Sequence, residues 1–521
     1  MSKLEREIPM DRFCQLLSAT SASFAVLAVL LASGIADAAG KRPNILFAIS
    51  DDQSWPHASA YGYKAIQTPA FDRVAKSGVL FTGAFASSPG CSPCRASILT
   101  GRHTWQIEHA GTHASSFPRK YTVFPDLLEK AGYHIGTTGK SWGPGNYKVD
   151  GWSRNPAGPS FNKKTKKPPY KGIRSTDYAA NFDEFLKLRQ KDQPFFFWYG
   201  ASEPHRGFGA GSGLKEGKKL EDVVVPSFLP DTDAIRSDIL DYCVEIEWFD
   251  KHLGRMIEKL EAIGELENTL IVVTSDNGMA FPRAKANCYE YGIHMPLAIC
   301  WPAKVKGGRT VDDLVQFIDF APTFLQVAAA PVPDTYSGSS LLNVLQSDKQ
   351  GLVDASRSSA YSARERHSSS RWNNLAYPQR ALRTAQYLMI WNAKPDRWPA
   401  GTPQKYNGAK LGPMHGGYHD IDACPSLTFL IKNRDDPKIK KYFHLAVDKR
   451  PEWELFDIKK DPGCLNNLAG QSDVAKIDKQ LRAQLQAYLK KTGDPRVLGN
   501  GDIWETYKRY SKIRKFPKPG Q

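Results

Sequence analysis

Cys91-Ser92-Pro93-Cys94-Arg95-Ala96-Ser97-Ile98-Leu99-Thr100-Gly101-Arg102 is the stretch on which the reading of this chain depends. Before it stand Val79-Leu80-Phe81-Thr82-Gly83-Ala84-Phe85, strand-like in composition, and the turn residues Ser87-Ser88-Pro89-Gly90. Arg95 to Leu99 can carry a helical turn, so Cys91 is expected where a helix begins. There, unpaired backbone N–H groups and the positive dipole end favour negative charge. Three readings compete: a Cys-x-x-Cys redox pair, half of a metal site, or a nucleophile awaiting modification.

Outward from this stretch, short apolar runs end in polar residues. Asn44 to Ser50 leads to Asp51-Asp52, Tyr133 to Thr138 to Gly139-Lys140, Phe195 to Gly200 to Glu203-Pro204-His205-Arg206, and Leu270 to Thr274 to Ser275-Asp276-Asn277-Gly278. Each reads as a buried parallel strand. Between them, Thr68-Pro69-Ala70 opens a helix in the capping style, Phe124 to Ala131 is a second helix, and 233–263 has apolar residues at helical spacing. The alternation predicts an α/β fold with a mainly parallel sheet sandwiched by helices, over residues 41–345. In such sheets ligands bind at the C-terminal strand ends, so Asp51, Asp52, Lys140, His205, Asp276 and Asn277 are expected to converge. After Pro331-Val332-Pro333 the pattern changes. A polar stretch from Ser356 to Ser370, strands at 386–391 and 452–457 and a helix over 474–489 predict a smaller α+β domain over 346–521.

Lys3, Arg6 and Arg12, an apolar run from Phe24 to Ile35 and the small residues Ala36-Asp37-Ala38 predict an export signal over 1–38. The run is shorter than the ~20 residues of a membrane helix, so no span is expected after cleavage. The destination is then periplasmic, extracellular or lysosome-like. Eight cysteines, at 14, 91, 94, 243, 288, 300, 424 and 464, are too widely spaced for a disulfide framework. The net charge of +16 suits an anionic partner. Without a helix-turn-helix, finger or aromatic-basic ribonucleoprotein pattern, nothing points to nucleic acid.

Four separated stretches together resemble the sulfatase family of the alkaline phosphatase superfamily: Asn44 to Asp52; Cys91-Ser92-Pro93-Cys94-Arg95 with Leu99 to Arg102; Ser275 to Gly278; and Trp453 to Asp457 with Asp461-Pro462 and Asn467-Leu468. Within the family, Pro204-His205-Arg206, Phe281-Pro282 and Tyr377-Pro378-Gln379-Arg380 are similar to the heparan N-sulfatases (sulfamidases). The resemblance implies an alkaline-phosphatase-like fold and conversion of Cys91 to formylglycine by a maturation enzyme. One hydroxyl of the hydrated aldehyde attacks sulfur, and loss of a proton from the other expels sulfate. It also implies Ca2+ held by Asp51, Asp52, Asp276 and Asn277, and Arg95, Lys140, Lys285 and His205 around the sulfate, with Arg283 an alternative to Lys285. Arg206 and Arg380 are candidate contacts to the carboxylates or sulfates of a sulfated glycan. An O-sulfatase, a phosphoester or phosphonate hydrolase of the same superfamily, and an unmodified glycan-binding relative are the alternatives.

Two positions depart from the family pattern. Cys94 stands where Ser is usual, which leaves a disulfide with Cys91 open if maturation fails. Trp142 stands two residues after Lys140, where the family commonly has His. Trp donates one N–H and shuttles no proton, so the role falls to His103, His109 or His113, or to no residue.

Overall fold

The computed structural model describes residues 41–520. The expected export signal lies outside the described residues. From Pro43 onward the chain forms one compact unit containing two main sheets. The first has eight strands: β1 (Asn44–Ser50), β2 (Val79–Phe85), β3 (His134–Gly139), β4 (Phe195–Gly200), β5 (Thr269–Ser275), β6 (His294–Cys300), β7 (Arg309–Val311) and β8 (Val315–Gln316). Their order is β3-β4-β1-β5-β6-β2-β7, with β8 also on β2. All run parallel except β6, which is antiparallel to both neighbours.

β1 is buried on both faces and sorts its side chains by alternation. Ile45, Phe47 and Ile49 face α2 (Cys91–Thr100), α3 (Phe124–Lys130) and a later helix at Phe320–Val327. Leu46 and Ala48 face α1 (Pro69–Ser77), α4 (Tyr178–Lys187) and the 30-residue α5 (Asp233–Ala262). The sequence placed β1, β2, β3, β4, β5, α3 and α5 to within a residue or two, and offered no reading of α4 or of the helix Phe320–Val327. The cap expected at Thr68 is different: its side chain makes no cap bond. Instead the Asp250 carboxylate of α5 accepts the N–H groups of Ala70 and Phe71 at 2.9 and 2.8 Å, which also ties the two helices together.

The second sheet contains β9 (Ser359–Arg364), β10 (Gln379–Thr384), β11 (Tyr387–Asn392) and, after a small hairpin of β12 (Tyr406–Asn407) and β13 (Lys410–Leu411), β14 (Trp453–Asp457). It is antiparallel throughout, in the order β14-β11-β10-β9. One face buries Leu382, Met389 and Leu455 against Leu481, Leu485 and Leu489 of the helix Ala475–Lys491. The other packs Ala381, Leu388, Ile390 and Phe456 onto Tyr289 and Ile293, in the segment that links β5 to β6. β9 lies inside the stretch read as merely polar. Its one charged residue, Arg364, is buried because it pairs with Asp420.

Candidate active site

Strand register assembles the site. Ser50 lies opposite Ser275, so Asp51-Asp52 and Asp276-Asn277 leave adjacent strands side by side. Gly139 and Ile49 both lie opposite Gly200, and Lys140 donates its N–H to the Gly200 carbonyl at 2.6 Å. Lys140 therefore leaves the same edge, and the chain from Gly200 to His205 passes across it. β2 also points to this edge, and after Gly90 it delivers Cys91 as the first residue of α2. Gly101 ends that helix at φ +59°, with Tyr336 packed so close that a Cβ would lie 2.5 Å from its ring.

Cys91, Arg95, Asp51, Asp52, Asp276 and Asn277 are all buried. Arg95, one turn beyond Cys91, donates Nε to Asp276 Oδ2 at 2.7 Å and Nη1 to the Lys140 carbonyl at 2.6 Å. Lys140 pairs with Asp51. Lys285 bridges Asp52 at 2.6 Å and Asp422 at 2.9 Å, whereas Arg283 is spent on the carbonyls of Leu445 and Cys464; Lys285 is thus the cation at the site. Asn277 donates to Asp52 Oδ1 at 2.7 Å, and the Asp52 N–H donates to Asp276 Oδ1 at 3.1 Å. Asp52 holds this position at φ +76°, a left-handed conformation that Asp adopts more readily than most residues.

Four carboxylates (Asp51, Asp52, Asp276, Asp422) face three permanent cations (Arg95, Lys140, Lys285). Burial lifts Asp52 to about 7 despite Lys285 and Asp276 to about 6. For Asp51 the same desolvation is outweighed by Lys140, with His205, Arg95 and Lys285, which hold it below the usual carboxylate range. The buried Asp51 Oδ1 and Asn277 Oδ1 accept no hydrogen bond. A set of hard oxygens with excess negative charge and orphaned acceptors fits a divalent oxygen-seeking cation. Arg95 Nη2 is likewise without a partner.

His205 donates Nδ1–H to the Arg206 carbonyl at 2.8 Å; a carbonyl only accepts, so the proton sits on Nδ1. Lys285, then burial, lowers its pKa. Three side chains of the site were not singled out as its members by motif. Asp422 comes from a loop with no motif around it. His113 Nε2 lies 3.4 Å from Cys91 Sγ, and His367 is packed on His113 with ring centroids 4.6 Å apart. Of the three histidines considered for the missing imidazole, His103 stacks on Trp105 and bonds Tyr488, and His109 stacks on Tyr507. His113 alone of the three reaches Cys91. Trp142 donates its indole N–H to the Ser92 carbonyl at 3.1 Å and packs on Phe117.

Arg206 and Arg380 are not brought to the pocket. Arg206 forks onto Asp238 and donates to the Ala280 carbonyl at 3.0 Å. Arg380 is fully buried between Asp494 and Glu365. The expectation that they meet substrate gives way to internal pairing, which charge alone cannot distinguish in a sequence.

The redox reading of Cys91 and Cys94 fails on geometry and on charge. All seven described cysteines are free. Cys94 points into the apolar core on the α2 face. Burial pushes the Cys91 thiol up to about 11 and Cys94 higher still, whereas a reactive pair needs a depressed pKa.

The sulfatase family model matches residues 43–330, more than half of the 521-residue chain. The chain belongs to the sulfatase family. Residues 283–399 match the model for the N-sulphoglucosamine sulphohydrolase C-terminal region. Human N-sulphoglucosamine sulphohydrolase is 28% identical, with 92% of this chain and 96% of that protein covered. The N-acetylglucosamine-6-O-sulfatase of Bacteroides thetaiotaomicron is 27% identical, with 89% and 90% covered. An ulvan-active sulfatase of Formosa agariphila is 24% identical, with 89% and 77% covered. Among solved structures, one in complex with its substrate D-glucosamine-2-N,6-O-disulfate superposes at a TM-score of 0.64, with 23% identity and 88% and 99% of the chains covered. The phosphonate monoester hydrolase of Agrobacterium radiobacter does so at 0.61, with 17% identity and 88% and 97% covered. This sulfatase is a hydrolase of sulfate esters or sulfamates, and its fold is the one the sequence predicted. Among the described residues no helix is long and apolar enough to cross a membrane.

Proposed function

We propose that this sulfatase removes the N-sulfo group from glucosamine residues of a sulfated glycan, as an exported, calcium-dependent enzyme matured at Cys91 to formylglycine. The observation that carries the reading is the position of Cys91, at a helix start inside a cage of Arg95, Lys140, Lys285 and His205, beside oxygens with open acceptor capacity. The N-sulfo specificity is supported by the match over 283–399 and the likeness to the human enzyme along nearly its whole length.

Cys91 is unmodified here, and its Sγ stands in the place of the oxygens of the mature side chain. Formylglycine supplies a hydrated aldehyde, a nucleophile with a second hydroxyl for release. Asp51, Asp52, Asp276 and Asn277 would hold Ca2+, which supplies Lewis-acid polarisation of a sulfate oxygen. The protein's own groups do the rest. Arg95, fixed by Asp276 and the Lys140 carbonyl, keeps Nη2 free as a donor toward the reacting group. Lys140 and Lys285 offer ammonium donors to sulfate oxygens, and their carboxylate partners keep both charged. His113 hydrogen-bonds residue 91 and takes the place of the imidazole lost at Trp142. His205, its Nδ1–H committed to a backbone carbonyl, presents Nε2 to the substrate. Bound anionic substrate favours protonation of the ring, and Nε2–H then delivers the proton that the departing amine nitrogen needs.

Sulfate release from glucosamine N-sulfate and from glucosamine 6-sulfate, read by ion chromatography, tests the specificity. N-sulfate is expected to turn over faster; release from the 6-sulfate alone would transfer the assignment to the O-sulfatases, the reading that the 27% identical 6-O-sulfatase favours. Mass spectrometry of the Cys91 peptide is expected to show the aldehyde after co-expression with a maturation enzyme.

A further inference from the structure

A second basic cavity of about 540 Å³ lies away from Cys91, where the helix Lys440–Val447 and the following Asp448-Lys449-Arg450 meet β14. Lys441, His444, Lys449, Arg450, Arg283 and Tyr289 line it. Its two acidic lining residues already have partners: Asp448 is 2.8 Å from His444, and Glu454 accepts the Tyr289 hydroxyl at 2.7 Å and an Asn392 amide hydrogen at 2.8 Å. Among the cations, His444 is held by Asp448 and Arg283 spends Nη1 and Nη2 on the Leu445 and Cys464 carbonyls, but Arg450 has no such match.

Arg450 is the telling residue. It is 7% exposed, and none of its three guanidinium nitrogens has a hydrogen-bond partner. It lies over the face of Tyr289, 4.6 Å from the ring centroid, with Tyr377 and Glu454 also near, and Arg283 approaches the same ring at 4.0 Å. Arg283 Nε is also unpartnered. Other buried guanidinium groups among the described residues do have acceptors: Arg380 two carboxylates, Arg364 and Arg371 Asp420, and Arg309 and Arg366 backbone carbonyls. A buried cation with no acceptor at a cavity wall is incomplete without an anion.

We propose that this cavity is an accessory oxyanion site, taking a sulfo or carboxylate group carried by the glycan beyond the sugar under attack. The inference rests on the sulfated-glycan reading above. Arg283 and Lys285 are two residues apart on one loop, no more than about 7 Å along the backbone, so an anion at Arg283 and Arg450 and one at Lys285 are held by the same segment. A guanidinium and a sulfo or carboxylate group form charge-assisted, often bidentate hydrogen bonds. The same chemistry would accept free sulfate, the reaction's product, and the experiment separates the two sources.

The test uses the full chain with Cys91→Ala to prevent turnover, and isothermal titration with an N-sulfated heparin tetrasaccharide, with glucosamine N-sulfate and with inorganic sulfate. Arg450→Gln is expected to weaken the tetrasaccharide roughly ten-fold, the loss of one charged hydrogen-bonding partner, and to leave the monosaccharide unchanged. Because Arg450 is buried, Lys441→Ala with Lys449→Ala is the second variant, altering only exposed groups, with a two- to three-fold loss for the tetrasaccharide. Loss of inorganic sulfate binding alone would make the cavity a product site and overturn the proposal, as would tetrasaccharide affinity unchanged in both variants. Monosaccharide turnover by the matured enzyme tests the sulfatase reading separately, since neither variant touches the catalytic cage.

Discussion

Two buried ionic networks in this molecule have nearly the same composition and opposite states of completion. Around Arg380, the guanidinium is fully enclosed, and Asp494, Glu365 and the Gln379 carbonyl take up all three of its nitrogens. Around Cys91, Arg95 keeps one nitrogen free, and Asp51 and Asn277 each keep one buried oxygen free. Burial is equal, so desolvation costs are similar. The difference lies in what closes the network. The first is closed by the chain itself and holds β10 to the C-terminal segment; the second is left open, as the proposed binding of a cation and a sulfate requires.

The comparison breaks most directly at the open network. Cys91→Ala should lower the rate of sulfate release by about 10⁶-fold, as removal of a covalent nucleophile does, while circular dichroism and melting behaviour stay near the parent because the side chain is small. Comparable residual activity would mean that residue 91 is not the nucleophile. At the closed network the expected effects are exchanged. Arg380→Met leaves Asp494 and part of Glu365 buried without their guanidinium, at a cost of about 3–5 kcal/mol. The denaturation midpoint should fall markedly, and kcat per folded molecule should not.

His113 sharpens the contrast, because it belongs to the open network through one 3.4 Å contact. His113→Asn is expected to lower kcat about 100-fold, the lower end of what a positioned acid–base group contributes, with KM little changed. The extent of Cys91 conversion, measured by mass spectrometry, should be unaltered. A variant with full kcat would show that the position held by Trp142 needs no replacement imidazole.

The two networks also differ in how far the sequence revealed them. Asp51-Asp52 and Asp276-Asn277 were legible because each follows an unbroken apolar run, and two such runs in adjacent parallel strands must bring their ends together. His113 was one of three equivalent histidines in an aperiodic loop. What selects it is long-range geometry: the Ala114 N–H bonds Ser92 Oγ at 3.2 Å and pins the loop beside Cys91. Asp422, 137 residues from Lys285, has no local pattern at all. β9 was hidden for the opposite reason. Strand reading looks for apolar residues, and here Arg364 and Glu365 are buried on ion pairs with Asp420, Arg380 and Arg496. Arg206 and Arg380 meet the same blindness: a basic residue paired internally and one awaiting substrate look identical until the partner is seen.

Glu245 on α5 tests whether an open polar group always marks a ligand. It is 1% exposed, and neither carboxyl oxygen has a hydrogen-bond partner, yet no excess of cations faces it. Burial, reinforced by Glu203, pushes its pKa up to about 9, with Arg206 only partly offsetting this. It is therefore protonated at neutral pH, a neutral group whose desolvation costs far less than that of a charge. Because the folded-state pKa lies above the unfolded value near 4.5, the folded protein binds the extra proton between these limits. The stability linked to Glu245 is complete below pH 4.5 and is lost as pH rises through about 9. Glu245→Gln mimics the protonated form at every pH, so it should melt close to the parent near pH 5 and above it near pH 9. Within that window the gap grows by at most about 1.4 kcal/mol per pH unit. Parallel melting curves across the range would mean that Glu245 ionises in the folded protein as readily as in the unfolded one, with a cation beside it, and its two oxygens would then belong with those of Asp51 and Asn277 as acceptors that take up a partner from solution.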